Sequence, residues 1–324
     1  MLEVITYGGT VTRLLVPRRD GRLDDVVLGF DNLNAYLSGR QYFGAIIGRV
    51  AGRITGGQFQ LDGRTYPLAK SDPPNHVHGG VEGFDKKIWT AVPEPRIDGA
   101  PSLRLTYVSP DGEEGYPGTV RVSVIYTVTA DNGFEIITEA ATDRATPFSL
   151  THHSYFNLAG EDSGSIADHE LQIHADDCVS TDAGMTLLGK WVAVAGKEND
   201  FNSPRVLGKV IGELFKSHGD LYLIRKSATE REAHSLVKAG KVTHRGSGRA
   251  LTVYTTEEYL QLYVGVSIPP NLAGKSGQSY VPHAGLCLEC EGYPDGANVP
   301  AMGDIILRPG QTHRQATIYS FTTV

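Results

Sequence analysis

Alternation of apolar and other side chains with a period of two runs through most of this 324-residue chain. In the segment 120–128, Val120, Val122, Val124 and Tyr126 occupy every second position. Successive side chains of an extended chain point to opposite faces, so this pattern predicts a strand with one apolar face. Shorter runs of the same kind lie at 135–139, 171–175, 250–255, 260–264, 285–291 and 317–321.

Turn formers separate these runs, for example Pro-Asp-Gly at 110–112 and at 294–296. Only two segments predict helices, 31–38 and 203–217, and in the second Ser203 and Pro204 are a suitable N-cap and first helical residue. Long helices do not alternate with the strands, which argues against a parallel α/β fold. We therefore predict an all-β protein, one large antiparallel β-sandwich over residues 1–324 with few short helices.

Composition excludes several classes of function. A formal charge of −7 is unsuited to nucleic acid, and the locally basic stretch 225–249 lacks interleaved aromatic residues, so we interpret it as a solvated hairpin. The chain has no apolar run of membrane-spanning length and no signal peptide, so we expect no membrane partner and a cytoplasmic location. Three cysteines are not a disulfide framework, and Cys287-x-x-Cys290 has no second pair to complete a zinc site.

Two carboxylates share one face of the strand predicted over 285–291. Alternation places Leu286, Leu288 and Cys290 on one face, and Glu289 and Glu291 on the other together with residue 287. Burial of two neighbouring carboxylates is unfavourable. This face is therefore either exposed to solvent or part of a cleft in which one carboxylate is a base with a shifted pKa.

Consecutive histidines stand in the segment 151–158, which is richer in polar groups than a core strand. In an extended chain His153 and Tyr155 point one way, and His152 and Ser154 the other. Zinc requires three or four converging ligands, and no H-x-x-x-H pair occurs on a predicted helix. We therefore predict that the protein needs no metal and no cofactor.

Two further clusters leave alternatives open. The segment 75–80, Asn-His-Val-His-Gly-Gly, is either a turn with surface histidines or a functional cluster whose paired glycines allow close approach of a ligand or of another strand. Arg49 and Arg53, four residues apart, are either surface charges or hydrogen-bond donors aimed at hydroxyl groups. The glycines around them lack the context of a phosphate-binding loop.

Six segments, in order along the chain, resemble the aldose 1-epimerase (galactose mutarotase) family. They are FGAIIGRVAGRI at 43–54, NHVHGGVEGFDKKIW at 75–89, SPDGEEGYPG at 109–118, LTHHSYFNLAG at 150–160, LQLYVG at 260–265 and GLCLECEGYPDGANVP at 285–300. The resemblance covers nearly the whole chain. It implies a large antiparallel β-sandwich with an open cleft, a monosaccharide as the partner and no cofactor; we expect a monomer or a homodimer.

The resemblance also implies the site residues. The family's catalytic base falls on Glu289 and its catalytic acid on His153. The substrate-binding residues that it implies are Arg53, His78, Asp220 and Gln261, and we add Tyr155 because it shares the face of His153. Four departures from the family pattern bear on substrate preference: Gly52 and His152 replace asparagines, Glu291 replaces a glutamine, and the residues after Asp220 lack the usual His-Asn.

The implied activity is interconversion of the α and β anomers of free hexoses, such as galactose or glucose, by acid–base ring opening and closure. The alternatives are a carbohydrate-binding protein without catalysis and a sugar-phosphate epimerase of the same fold, which needs two or more cations such as Arg53 and Arg49. A glycoside hydrolase requires carboxylates on two sides of a bond, whereas Glu289 and Glu291 lie side by side.

Overall fold

The computed structural model describes residues 1–96, 98–182, 185–214 and 220–324. Its strands, in chain order, are β1 Leu2–Val4, β2 Val11–Pro17, β3 Leu23–Asp25, β4 Ile46–Ile47, β5 Arg53–Ile54, β6 Gln58–Leu61, β7 Arg64–Pro67, β8 His76–Val77, β9 Thr90–Pro93, β10 Ser102–Ser109, β11 Val120–Val128, β12 Gly133–Thr142, β13 Thr146–Pro147, β14 Thr151–His152, β15 Glu170–Ile173, β16 Asp177–Thr181, β17 Leu187–Ala193, β18 Arg205–Val206, β19 Leu221–Leu223, β20 Val237–His244, β21 Arg249–Thr255, β22 Tyr259–Tyr263, β23 Leu272–Ala273, β24 Ser279–Tyr280, β25 Cys287–Glu291, β26 Ile306–Leu307 and β27 His313–Thr323. The described helices are short: α1 Leu33–Ser38, α2 Ile211–Leu214 and α3 Ala228–Glu232.

Two sheets form the sandwich. The larger has nine strands in the order β18-β15-β20-β21-β27-β12-β11-β10-β9, and the smaller has five in the order β17-β16-β19-β22-β25; every strand pair in both is antiparallel. Apolar side chains of both sheets belong to one buried cluster, including Val253 and Tyr319 from the larger sheet and Leu262 and Leu288 from the smaller. The predicted all-β sandwich is confirmed.

Hydrogen bonds from the larger sheet also reach the backbone of β25. The Tyr319 hydroxyl donates to the Leu288 carbonyl at 2.8 Å, and the Gln315 amide donates to the Cys290 carbonyl at 3.1 Å. A buried carbonyl on the face of a strand is otherwise costly to leave unpaired. These contacts hold β25 in place, and β25 carries the carboxylates that the sequence singles out.

The helix predicted over 203–217 is wrong for most of its length, whereas the one over 31–38 is confirmed as α1, capped by the Asn32 side chain. Residues 205–206 form a strand that pairs with Glu170 and Leu171, a 3₁₀ turn covers 207–209, and α2 covers only 211–214. Residues 215–217 of the predicted helix lie outside the described ranges. Pairing with the edge of the sheet outweighs the local helical preference, and Leu207 is buried in the core without a helix.

The solvated hairpin predicted for the basic stretch 225–249 is only partly correct, because only β20 and the turn to β21 belong to a hairpin and some of the basic residues are buried. The stretch also includes α3, which the sequence pattern did not indicate. Arg249 is fully buried, donates to the carbonyls of Val16 and Leu158, and pairs with Asp24 at 2.5 Å. Among the described helices, none has the length and apolar character required to cross a membrane.

Candidate active site

A cavity of about 500 Å³ opens beside β25 and gathers most of the residues that the sequence predicted. Its volume lies within the range of roughly 300–1,000 Å³ that is typical of small-molecule sites. Six of the seven predicted residues line it: Arg53, His78, His153, Tyr155, Gln261 and Glu289. Tyr42, Asp72, Tyr263 and Glu291 also contribute to the lining.

Strand register places Glu289 and Gln261 side by side. Gln261 of β22 is directly opposite Glu289 of β25, so both side chains stand on the same face of the smaller sheet. All five residues of β25 are buried. The solvent-exposed alternative for this face is therefore wrong, because the face lines the cavity; that one carboxylate is a base stays a prediction.

The consecutive histidines point to opposite sides, as predicted. His152 packs between the rings of Tyr126 and Phe134, with centroid distances of 5.6 and 5.4 Å. His153 faces the cavity and stacks on Tyr155 with a centroid distance of 5.1 Å. Only His153 is therefore placed to meet a substrate.

Glu289 and His153 form a buried ionisable pair in the cavity. His153 Nε2 lies 3.5 Å from Glu289 Oε1, and the two side chains are 5% and 2% exposed. Burial disfavours the charged form of each group. It lowers the pKa of His153 to about 4 and raises the pKa of Glu289 to about 8, against the opposing charge of Arg53.

A fixed tautomer distinguishes His78. Its Nδ1 accepts a hydrogen bond from the Gly52 amide at 3.2 Å, so the neutral ring carries its proton on Nε2. Burial, followed by the nearby charges of His153 and Arg53, lowers the pKa of His78 well below its usual range. His78 thus remains neutral and offers an N–H donor from Nε2.

Short pairings of loop segments bring the arginine and His78 together. Arg53 of β5 is opposite Val77 of β8, which immediately precedes His78. Gly79 follows in the left-handed region, and a Cβ there would lie 1.8 Å from the Gly48 carbonyl oxygen. Gly79 therefore allows the close approach of another backbone segment.

The two arginines of the segment 48–54 differ in role. Arg49 is buried at 2% exposure, and its guanidinium donates to the carbonyls of Pro117 and Gly118 at 2.9 Å. Arg53 lines the cavity and pairs with Asp72, with Arg53 Nε 2.7 Å from Asp72 Oδ2. Arg49 is therefore a buried structural residue, which also donates to the side-chain hydroxyls of Thr146 and Ser109, and of the two arginines only Arg53 lines the cavity.

Several lining residues were missed by the sequence analysis. The Tyr42 ring contacts His78 and His153, with centroid distances of 4.9 and 5.7 Å, and Tyr263 packs edge-on against Tyr155 at 5.8 Å. Tyr42 and Asp72 come from loops, which have no periodicity that could single them out. Tyr263 alternates with Gln261 on β22 and was predictable from that spacing.

Asp220 is the predicted residue that the structure does not bring to the cavity. Leu221 is opposite Gln261, so the alternation of β19 puts its neighbour Asp220 on the other face of the smaller sheet. There Asp220 Oδ2 accepts a hydrogen bond from the Asn199 amide at 3.1 Å. Its role as a substrate ligand remains a prediction from the motif.

The cavity also contains a possible set of metal ligands. One potential ligand atom from each of His78, His153 and Glu289 lies within 4.8 Å of the others. Two histidines and a glutamate are a known set of catalytic zinc ligands. The prediction that the protein needs no metal therefore requires a direct test.

Comparison with known proteins identifies the family. The aldose 1-epimerase family model matches residues 1–320. Galactose mutarotases from Bos taurus and Homo sapiens are both 42% identical over 99% of this chain and 91% of their own length. The aldose 1-epimerase of Escherichia coli (strain K12) is 31% identical over 99% of this chain and 92% of its own.

Solved structures share the fold of this chain. An aldose epimerase homologue from C. elegans superposes with a TM-score of 0.90 at 26% identity, covering 100% of this chain and 95% of its own. A galactose 1-epimerase from Lactobacillus acidophilus NCFM, at 24% identity, shares the fold with a TM-score of 0.83 over 99% of this chain and 91% of its own. This chain belongs to the aldose 1-epimerase family.

Substitution of each histidine by asparagine tests the opposed orientations. We expect His153→Asn to lower the rate of anomer exchange on galactose by roughly 10²–10⁴-fold, the effect of losing a general acid. His152→Asn removes a side chain outside the cavity and should retain substantial activity. Rate constants from polarimetry check both, and an inactive His152→Asn beside an active His153→Asn would contradict this assignment.

Removal of metal tests the three-ligand cluster. We expect dialysis against a chelator to leave the rate unchanged, because an imidazole and a carboxyl transfer protons without a metal. Metal analysis of the dialysed protein is the control. A lost activity that added zinc restores would show that His78, His153 and Glu289 bind a catalytic ion.

Proposed function

We propose that this chain interconverts the α and β anomers of free hexoses such as galactose or glucose, with Glu289 and His153 as the proton-transferring pair. The observation that carries the proposal is the 3.5 Å approach of a buried carboxyl and a buried imidazole in a cavity of sugar-binding size. Polarimetry on freshly dissolved α-D-galactose and α-D-glucose tests it directly.

Anomer exchange requires two proton transfers to open the ring, one rotation, and two proton transfers to close it. In ring opening, Glu289 accepts the proton of the C1 hydroxyl while His153 donates a proton to the ring oxygen. The aldehyde then turns about the C1–C2 bond, and closure on the other face uses both residues in reversed roles. Gln261, Arg53 and His78 are available to hold sugar hydroxyls, and the His78 N–H can also stabilise charge on an oxygen.

The pair holds the single proton that this chemistry needs. Between a pKa of about 4 for His153 and about 8 for Glu289, one of the two groups is protonated. Without a substrate, the proton is on Glu289. The mechanism reaches the same protonation state after ring opening, when Glu289 has accepted the proton of the C1 hydroxyl. Binding of the cyclic sugar requires transfer of the proton to His153, and the positive charge of Arg53 favours this because it lowers the pKa of Glu289.

A free sugar fits the charge of the cavity better than a sugar phosphate does. Glu289, Glu291 and Asp72 line it together with two arginines, and Arg53 is already paired with Asp72. The unpaired candidate for a phosphate is Arg40, which is exposed. Among the described lining residues, Arg40 is therefore the cation left to balance a phosphate dianion, whereas a free sugar needs none.

Other expectations remain part of this proposal. We propose a single functional unit over residues 1–324, a monomer or a homodimer, and a cytoplasmic location, in which the three free thiols would stay reduced. Tyr155 is proposed as a stacking surface for the sugar and for His153. Asp220 is retained as a substrate ligand on the strength of the motif alone.

Glu289→Gln tests the carboxyl as the base. The change preserves shape and burial but removes proton transfer, so we expect the rate to fall by roughly 10²–10⁴-fold with the fold intact. Circular dichroism and thermal unfolding are the controls for folding. Unchanged polarimetric rates in a folded Glu289→Gln sample would contradict the mechanism.

The pH dependence tests the shared proton. Below a pH of about 4 both groups are protonated and no base is left, whereas above about 8 both are deprotonated and no acid is left. We therefore expect a bell-shaped profile of kcat/KM with its limbs near these values, belonging to the pair as a whole. A rate that keeps rising above pH 9 would argue against a protonated pair.

A further inference from the structure

Glu291 is a second carboxyl of the catalytic cavity to which the mechanism gives no task. It stands two residues beyond Glu289 on the same face of β25, lines the cavity and is 1% exposed. Its Oε2 is buried and accepts no hydrogen bond from the described residues. A buried oxygen that has no hydrogen-bond partner has lost its hydrogen bonds to water and gained none from the protein, which is unfavourable. A hydrogen-bonding group of a ligand in the cavity would supply that partner.

The neighbour of Glu291 is a glycine where the family pattern has asparagine. Gly52 has a φ of +71°, and a Cβ built there would lie 3.2 Å from Glu291 Oε1 and 2.4 Å from Pro294 Cγ. Glu291 and Pro294 thus close the space that a side chain at position 52 would enter. Two departures from the family pattern therefore meet at one point of the cavity wall.

The charge state of Glu291 suits it to a neutral ligand. Burial, then the charges of Glu289 and Glu257, raise its pKa well above the usual range, and Arg53 opposes this only in part. A protonated carboxyl has one O–H donor and further acceptor capacity. A sugar hydroxyl likewise donates and accepts, so the two groups are complementary.

We propose that Glu291 is a specificity-determining residue that hydrogen-bonds one hydroxyl of the sugar, in place of the side chain that Gly52 lacks. This inference rests on the proposed function, because it assumes a sugar in the cavity. It assigns no proton transfer to Glu291: in the part of the chain that the structure describes, Glu289 is the carboxylate within ion-pair distance of His153.

The first experiment compares variants over a set of sugars. Mutarotation of D-galactose and of its 2-, 3-, 4- and 6-deoxy derivatives is followed by polarimetry for the wild type and Glu291→Ala. Loss of one hydrogen bond should lower kcat/KM about tenfold for galactose. For the deoxy sugar that lacks the hydroxyl bonded by Glu291, the same substitution should lower kcat/KM by no more than about twofold, because that hydrogen bond is already absent with the wild type.

Two further variants separate recognition from packing. Glu291→Gln restores the family residue and keeps a donor and an acceptor, so its kcat/KM on galactose should stay within about threefold of the wild type. Glu161→Gln is the matched control: it removes a buried carboxyl that accepts a hydrogen bond from Tyr280 and does not belong to the cavity lining. It should leave the ratios of kcat/KM among the five sugars unchanged.

The outcomes distinguish this inference from the proposed function. An equal loss on all five sugars with Glu291→Ala would overturn the specificity role while leaving anomer exchange intact. Absence of mutarotation by the wild-type protein would overturn both.

A crystal structure of the wild-type protein with bound galactose needs no variant to fold. It should place a carboxyl oxygen of Glu291 about 2.5–3.0 Å from a sugar hydroxyl. A sugar with no oxygen within about 4 Å of that carboxyl would overturn the inference.

Discussion

Desolvation of Glu289 and His153 is the physical effect on which the proposed chemistry depends. In water at pH 7, a glutamate is ionised and a histidine is mostly neutral, so neither group is mainly in its acid form. Burial beside each other moves the two pKa values apart in opposite directions, so that the pair retains one proton across the neutral range. The neighbouring Arg53 limits the shift of the carboxyl and keeps the ionised form accessible.

The backbone supplies the geometry of that pair. β22 and β25 place Gln261 directly beside Glu289, and hydrogen bonds from the larger sheet hold β25 from behind. The loop residues around this framework, His78 among them, are fixed by backbone contacts such as the Gly52 amide. Strands and hydrogen-bonded loops together hold the reacting groups of the site in fixed positions.

Errors of the sequence analysis share a cause, which is that local patterns do not report long-range partners. The segment 203–217 has an apolar stripe suited to a helix, yet its residues 205–206 pair with β15 and form the outermost strand of the larger sheet. Arg49 and Arg53 are equivalent by spacing, but only the fold shows that Arg49 binds the carbonyls of a distant loop. The role of Asp220 rests on the motif and stays a prediction, because the register of β19 turns this residue to the other face of the smaller sheet.

Alternation along the chain determined which residues share a face, because an extended backbone has no other way to direct its side chains. It therefore predicted the strands, the grouping of Glu289 with Glu291, and the opposed directions of His152 and His153. Tertiary structure alone decided that the face with the carboxyls is buried, since burial depends on the segments that pack over it. It also decided that Gly52, Glu291 and Pro294 meet, because residues about 240 positions apart come together only when the sandwich closes.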